Sequence, residues 1–343
     1  MPASWRHLAR HAVAVLLHYS GFFALVCFFR RAILGKREVC ILGFHRILGE
    51  EQFNRVNSLP GMLIKEETFA GLLEFLRTHF EVRPLDAILA GKDKEHSQGK
   101  PCCTLTFDDG WRDNYTVAYP RLKEYGMPAT IFLVTGYIDG RAYLWVERLC
   151  QAWKEPSQRE LIKCHALKLL PGKLRVVSLE EIVECLKRVP AEERRTIVTQ
   201  LLPAGTGPNA QQDSDQMMSW DEVVEMSRNG IDFGAHTVTH PLLTFESDDT
   251  VESELKNSKT GIEERVGKPV WAFAYPNGDW DSRIRQWVQR TGYRCAVTTK
   301  RGWHQGGLDP YSMRRILIHE GNITGLSGKF SAAAFNLTAA PWR

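Results

Sequence analysis

No C-x-x-C pair occurs anywhere in the 343 residues, although eight cysteines are present. That spacing marks zinc ribbons and dithiol redox sites, so neither reading is available. Cys27, Cys40, Cys102, Cys103, Cys150, Cys164, Cys185 and Cys295 are therefore read as reduced, buried small hydrophobes, which favours a reducing compartment. Long runs of like charge, repeat periods and low-complexity tracts are also missing, which argues against solenoids and charged tails. The net charge is only +4, with a pI near 8.6. Without a concentrated basic face or tail, no nucleic-acid partner is expected. What remains is ordinary: 43% hydrophobic and 24% charged residues, enough for one large domain or two small ones.

A second absence is local. Ala12 to Phe29 contains no Asp, Glu, Lys or Arg. The stretch is at the lower edge of what spans a bilayer. No small-residue cleavage site follows, so a removed signal peptide is not expected. Arg6 and Arg10 precede it, and Arg30, Arg31, Lys36 and Arg37 follow. The heavier positive flank lies on the carboxyl side, which places the following domain on the cytoplasmic face. His18, Tyr19, Ser20 and Gly21 interrupt the middle. An interfacial helix therefore stays open, as does a helix docked on the globular body.

The chain is organised around Cys102 to Trp111. Thr104, Leu105, Thr106 and Phe107 read as a buried strand between Pro101 and Gly110. Asp108 and Asp109 then stand at the strand's carboxyl end, where α/β folds gather their chemistry. Adjacent like charges repel, so such a pair calls for a positive partner, and a metal ion would serve. An Asp-Asp-Gly surface turn is the plainer alternative. Further strands are read at 39–44, 129–134, 231–235, 270–275, 294–298 and 313–318. Helices are read at 68–80, 114–125 (broken at Pro120), 220–228, 250–266 and 281–291. Alternating strands and helices argue a parallel α/β architecture with seven strands. Between 141 and 218 only helical patterns appear, with a polar loop at 205–216, and no chemistry is expected from that insertion.

His236 and His240 follow the 231–235 strand directly. Four residues apart on a turn, two imidazoles can grip one ion. A carboxylate plus two histidines would leave coordination positions open for water and substrate. Thr237 and Thr239 could brace that loop; plain turn chemistry is the alternative, and the favoured one for Thr239.

Thr-Phe-Asp-Asp-Gly at 106–110, His-Thr-Val-Thr-His-Pro at 236–241 and Tyr-Pro-Asn-Gly at 275–278 resemble the successive motifs of the NodB-type polysaccharide deacetylases, carbohydrate esterase family 4. The resemblance covers about residues 39–320. Phe-His-Arg-Ile at 44–47 and Phe-Ala-Tyr-Pro-Asn-Gly at 273–278 resemble the branch found in bacterial exopolysaccharide loci. The resemblance implies an α/β fold, a distorted (β/α)7 barrel, with a divalent metal, usually zinc, cobalt and nickel being alternatives. It implies Asp109, His236 and His240 as metal ligands and Asp108 as general base. A backbone N–H near Asn277 would complete an oxyanion hole beside Tyr275, and Leu317 would line the acetyl pocket. His319 would be the general acid, with His45 a second candidate for that role or for sugar contact. The family's usual arginine before the proline is replaced by Ala274. Arg314 or Arg315 would substitute for it, with Arg315 preferred.

The implied partner is a glycan bearing N-acetyl groups, with membrane association through the N-terminus. O-acetyl ester cleavage, or glycan binding by a degraded site, are the alternatives. The expected organisation is residues 1–38 as an apolar helix and basic flank, 39–330 as the deacetylase domain with its insertion at about 141–218, and 331–343 as a tail.

Overall fold

The computed structural model describes residues 5–22, 25–26, 38–90, 100–140, 145–170, 177–202, 216–305 and 308–340. In chain order its strands are β1 (Glu38–Phe44), β2 (Arg46–Leu48), β3 (Leu63–Lys65), β4 (Glu81–Val82), β5 (Cys102–Phe107), β6 (Ala129–Leu133), β7 (Asp232–Ala235), β8 (Ala272–Ala274), β9 (Cys295–Val297), β10 (His304–Gln305) and β11 (Ile316–Leu317).

The main sheet runs β1-β5-β6-β7-β8-β9, all parallel, with β11 parallel to β1. The segment before β11 also reaches the other edge, because Met313 pairs with Val297. The sheet is thus a parallel half-barrel whose last segment touches both edge strands. These seven parallel strands are the seven read from sequence; β1 and β5 are slightly longer than the runs read, and the other five are shorter. β10 is antiparallel to β1, β4 adds to β5, and β2 and β3 form a small separate sheet.

β5 and β6 are buried at every residue, as parallel strands covered on both faces require. Phe44 and Phe107, opposite each other in register, stack at 5.1 Å, and Phe69 meets Phe44 edge-on at 5.7 Å. Phe69 comes from the helix Glu66–His79, which buries Thr68, Phe69, Leu72, Leu73 and Leu76 along one stripe. The predicted helix at 114–125 starts as a π-helical turn, Asn114–Ala118, and continues as Tyr119–Tyr125. Pro120 does not break it: it sits in the first turn, where no N–H is needed.

Among the described residues the insertion carries four helices, Trp145–Lys154, Pro156–Leu169, Leu179–Lys187 and Ala191–Leu201. They have their own core, which includes Leu149, Ile162, Ala166, Ile182, Val183 and Leu186. Most of the predicted 205–216 loop lies outside the described residues.

One expectation about the ends is corrected. The apolar run from Ala12 does not form one helix: the helix Trp5–Tyr19 stops, and Gly21 turns at φ 72°. Among the described residues no helix is long and apolar enough to cross a membrane. Within the expected tail at 331–343, Ala332–Thr338 is a helix capped by Ser331 with Phe335 fully buried. The two terminal helices pack together through Ala14, Ala333, Leu337 and Ala340. Val13, Leu16 and Tyr19 on the first helix remain exposed. The basic flank at Arg30, Arg31, Lys36 and Arg37 lies outside the described residues, as does Cys27. Cys40, Cys102, Cys103, Cys150 and Cys295 are buried as read, whereas Cys185 is half-buried and Cys164 is exposed.

Candidate active site

β5 ends at Phe107, and the next two residues carry the acids. Asp109 takes a left-handed backbone (φ 75°) and Gly110 follows at φ 88°. A side chain at 110 would be strained there, and its Cβ would meet Leu133 at 2.8 Å. This tight turn sends the two buried carboxylates to different partners.

Asp108 meets Arg315, which arrives from just before β11 and is fully buried. The guanidinium forks onto the carboxylate: Nη1 donates to Oδ1 at 2.7 Å and Nη2 to Oδ2 at 2.6 Å. Arg315 Nε donates to the Thr298 carbonyl at 2.9 Å, which fixes the fork. Burial alone would raise the Asp108 pKa. The Arg315 charge and hydrogen bonds override it and hold the carboxyl well below the usual carboxylate range. Arg314, the other candidate, is exposed.

Asp109 faces the two histidines. Its Oδ1 is 3.7 Å from His236 Nε2 and 3.8 Å from His240 Nε2, and the two Nε2 atoms are 3.2 Å apart. All three donor atoms lie within 4.8 Å of one another. His236 Nδ1 lies 2.7 Å from the Ala274 carbonyl. A carbonyl only accepts, so Nδ1 carries the proton and Nε2 presents a lone pair. Desolvation in the cavity pushes His240 down to about 3, with the charges of His236 and Arg194 adding to the effect. His240 is therefore neutral near pH 7, the form that ligates cations.

This donor set fits a divalent cation. Two nitrogens at ~2.0–2.1 Å from one tetrahedral ion stand about 3.3 Å apart, close to the observed 3.2 Å. One carboxylate and two imidazoles also leave open positions.

The ligand atoms are held from behind. Trp111 Nε1 donates to Asp109 Oδ2 at 3.0 Å, and the Arg46 guanidinium lies 4.1 Å over the Trp111 ring. Thr237 (φ 69°) and His240 (φ 56°) both adopt left-handed backbones. Glu254 makes that strained loop affordable by accepting from the Val238 and Thr239 amides at 2.6 and 3.0 Å, and from Thr239 Oγ1 at 2.6 Å. The His240 amide donates to Thr237 Oγ1 at 3.0 Å. Thr237 thus braces the loop as read, and Thr239 does so too, where plain turn chemistry is the favoured sequence reading. Glu254 was not anticipated, although it falls on the buried stripe Val251, Glu254, Leu255, Ser258 and Ile262. A charged residue on an apolar stripe was the available signal.

These groups open into a cavity of about 270 Å3. His45, Asn277 and Leu317 line it together with Asp108, Asp109, His236 and His240. His45 Nε2 stands 3.9 Å from Asp108 Oδ2, and its carbonyl accepts from Asn114 Nδ2 at 2.8 Å. Asn277 adopts a left-handed turn (φ 57°), with its side-chain oxygen accepting from Lys187 Nζ at 2.9 Å. Trp145, Glu147, Lys187 and Arg194 of the insertion form the facing wall. The insertion, from which no chemistry was expected, therefore lines the cavity.

Two predicted residues are not at the cavity. His319 does not line it. It sits at the start of the helix Glu320–Ile323, its amide donating to Asn322 Oδ1 at 3.0 Å. Tyr275 is fully buried, its hydroxyl donating to the Tyr311 carbonyl at 3.0 Å and its amide to the Val297 carbonyl at 3.1 Å. Neither of its polar groups is left for a substrate.

The family profile described as polysaccharide deacetylase matches residues 95–296. "Putative polysaccharide deacetylase YxkH" of Bacillus subtilis (strain 168) is 21% identical over 272 residues, covering 78% of this chain and 70% of that protein. The deacetylase PplD of Streptococcus pyogenes, solved in complex with acetate, superposes with a TM-score of 0.55 at 21% identity, covering 84% of this chain and 95% of that one. IcaB from Ammonifex degensii gives 0.55 at 17% identity, covering 89% and 98%. At such identities the structural likenesses speak to the fold, while the profile spans more than half of the sequence. On that match, the chain belongs to the polysaccharide deacetylase family, the hydrolases of carbohydrate esterase family 4.

Proposed function

We propose that the chain removes N-acetyl groups from N-acetylhexosamine units of a polysaccharide or lipid-linked glycan, with a divalent cation held by Asp109, His236 and His240. The observation that carries this reading is the meeting of those three donor atoms within 4.8 Å, beside a second carboxylate clamped by arginine. The imidazole-rich set favours zinc, with cobalt and nickel as substitutes.

A bound divalent ion supplies Lewis-acid polarisation of the acetyl carbonyl and lowers the pKa of water to ~7. The protein groups divide the remaining work. Asp108 accepts the proton of the attacking water. Its depressed pKa makes it a weak base, so it suits a water that is already acidified. Arg315 keeps it ionised and aimed. The Asn277 amide offers a donor for the developing oxyanion. Leu317 packs against the acetyl methyl. His45 returns a proton to the departing amine, a role supported by its place in the cavity and its approach to Asp108.

Zinc-loaded protein should release acetate from N-acetylglucosamine oligomers, and Asp108→Asn should stop it while zinc still binds. Release from acetylated xylan alone would move the reading to ester cleavage. Sugar binding without turnover would refute the enzyme mechanism.

Association with a membrane surface is part of the same proposal. It is supported by the exposed Val13, Leu16 and Tyr19 and by the arginines and lysine that flank them in sequence. The heavier carboxyl-side flank favours the cytoplasmic face. Cosedimentation with anionic vesicles, lost on Leu16→Glu, is the check.

A further inference from the structure

A second cavity, of about 250 Å3, adjoins the first, sharing Trp145 and Arg194 with it. It lies between the insertion helices and the histidine loop, with Tyr137 and Thr239 on the barrel side. Its charged lining is Arg148, Arg194 and Arg195, and no carboxylate among the described residues lines it.

Two of these arginines lack the partner that burial demands. Arg194 is only 4% exposed. It lies 5.4 Å over the Trp145 ring and donates at 3.4 Å to the Val189 carbonyl, and no ion pair holds it among the described residues. Arg148 Nε is buried with no hydrogen-bond partner among the described residues. Arg195, at the outer rim, pairs with the exposed Glu192 at 3.3 Å. An uncompensated buried guanidinium is costly, and it is matched best by a planar or tetrahedral oxyanion that accepts two of its hydrogens. The carboxylates nearest in charge are already engaged: Glu254 holds the histidine loop, and Glu246 accepts from the Ala191 amide at 2.8 Å. Glu147 lines the first cavity and not the second.

We propose that this second cavity is an anion subsite, which binds an oxyanion carried by the substrate next to the sugar being deacetylated. The inference rests on the deacetylase reading and deepens it: the preferred substrate is an anionic glycan, its charge seated on Arg194 and Arg148. A sugar phosphate and a uronate carry the same recognisable chemistry, and the substrates below separate them.

Zinc-loaded full-length protein is assayed on three N-acetylated substrates: neutral chitin tetramer, N-acetylglucosamine 1-phosphate, and a tetrasaccharide alternating glucuronate with N-acetylglucosamine. The expected kcat/KM for one anionic substrate exceeds that for the neutral tetramer at least tenfold, and the preferred one identifies the anion. That ratio should fall about tenfold in Arg194→Met and in Arg148→Gln; the latter residue is half-buried and safer for folding. Turnover of all three at similar efficiency by the wild type overturns the subsite while leaving the deacetylase reading in place. If no substrate is turned over, that reading fails and the subsite is decided separately. Calorimetric binding of inorganic phosphate to the metal-free chain, abolished in Arg148→Gln, upholds it. No phosphate binding, or binding unchanged in both variants, overturns it.

Discussion

The floor of the main cavity and its insertion wall are built in different ways. The floor is made of strand ends: His45 after β1, Asp108 and Asp109 after β5, His236 and His240 after β7, Asn277 after β8, and Leu317 in β11. Parallel register brings those ends to one rim, so residues hundreds of positions apart meet within hydrogen-bonding distance. The wall is made of helices packed on a separate small core, and its polar residues reach the cavity from three of them, as Glu147, Lys187 and Arg194. The floor carries reactive groups with tightly specified partners. The wall carries shape and charge. A fold of this kind can keep its chemistry while altering what it admits, because the two are held by different cores.

Breaking the floor should give the largest effects. Asp108→Asn is expected to lower kcat by about 10²–10⁴-fold, with zinc content unchanged by elemental analysis. Arg315→Met should act twice. A buried pair loses one partner, which destabilises the protein by roughly 3–5 kcal/mol, measurable by denaturant unfolding. The surviving variant should also show a shifted pH profile. In the native protein Arg315 depresses the Asp108 pKa, so this group's contribution to stability is present above its unfolded pKa of about 4. It is lost only as pH falls through the still lower folded value. Without Arg315, burial is opposed only by the smaller contributions of His236 and His45, the Asp108 pKa rises, and the acid limb of kcat/KM moves to higher pH. An unmoved limb would remove Asp108 from the role of base.

One step back from the floor, Glu254→Gln should cut metal affinity or activity by about 10–100-fold through the loosened histidine loop. Zinc titration against a competing chelator checks it. The wall should yield the smallest effect and a different kind. Trp145→Ala should raise KM by about tenfold, equivalent to ~1.4 kcal/mol of lost binding, with kcat within about twofold. A large fall in kcat there would erase the distinction between floor and wall.

The floor was largely legible from sequence because its residues stand at positions with a physical signature. Asp108 and Asp109 end an apolar run, His236 and His240 repeat at four, and Arg315 opens the last strand. Residues that act through a single long-range contact had no such mark. Trp111 is one tryptophan among ten, and nothing local says that its indole will meet Asp109. His319 and Tyr275 were misjudged for a related reason. Strand reading gives alternation, but the chain leaves β11 for a helix at Glu320. Tyr275 lies beyond β8, where its amide still serves the sheet. The insertion was read as a helical region correctly. Its amphipathic pattern marks which side packs inward, and says nothing about which polar residues overlook a neighbouring site.

The clamp between Asp108 and Arg315 joins the middle of the sequence to its final segment, 207 positions on. A polypeptide still emerging from the ribosome, synthesised through residue 296 where the family profile ends, would already own the acid doublet and both imidazoles. It would lack the guanidinium that makes a buried Asp108 tolerable as an anion. On the proposed mechanism, a proton-accepting Asp108 would therefore arrive late, with the docking of the last strand. Any truncation upstream of residue 315 should yield a chain that is both inert and destabilised, since it also removes the buried Ile316, Ile318 and Phe335.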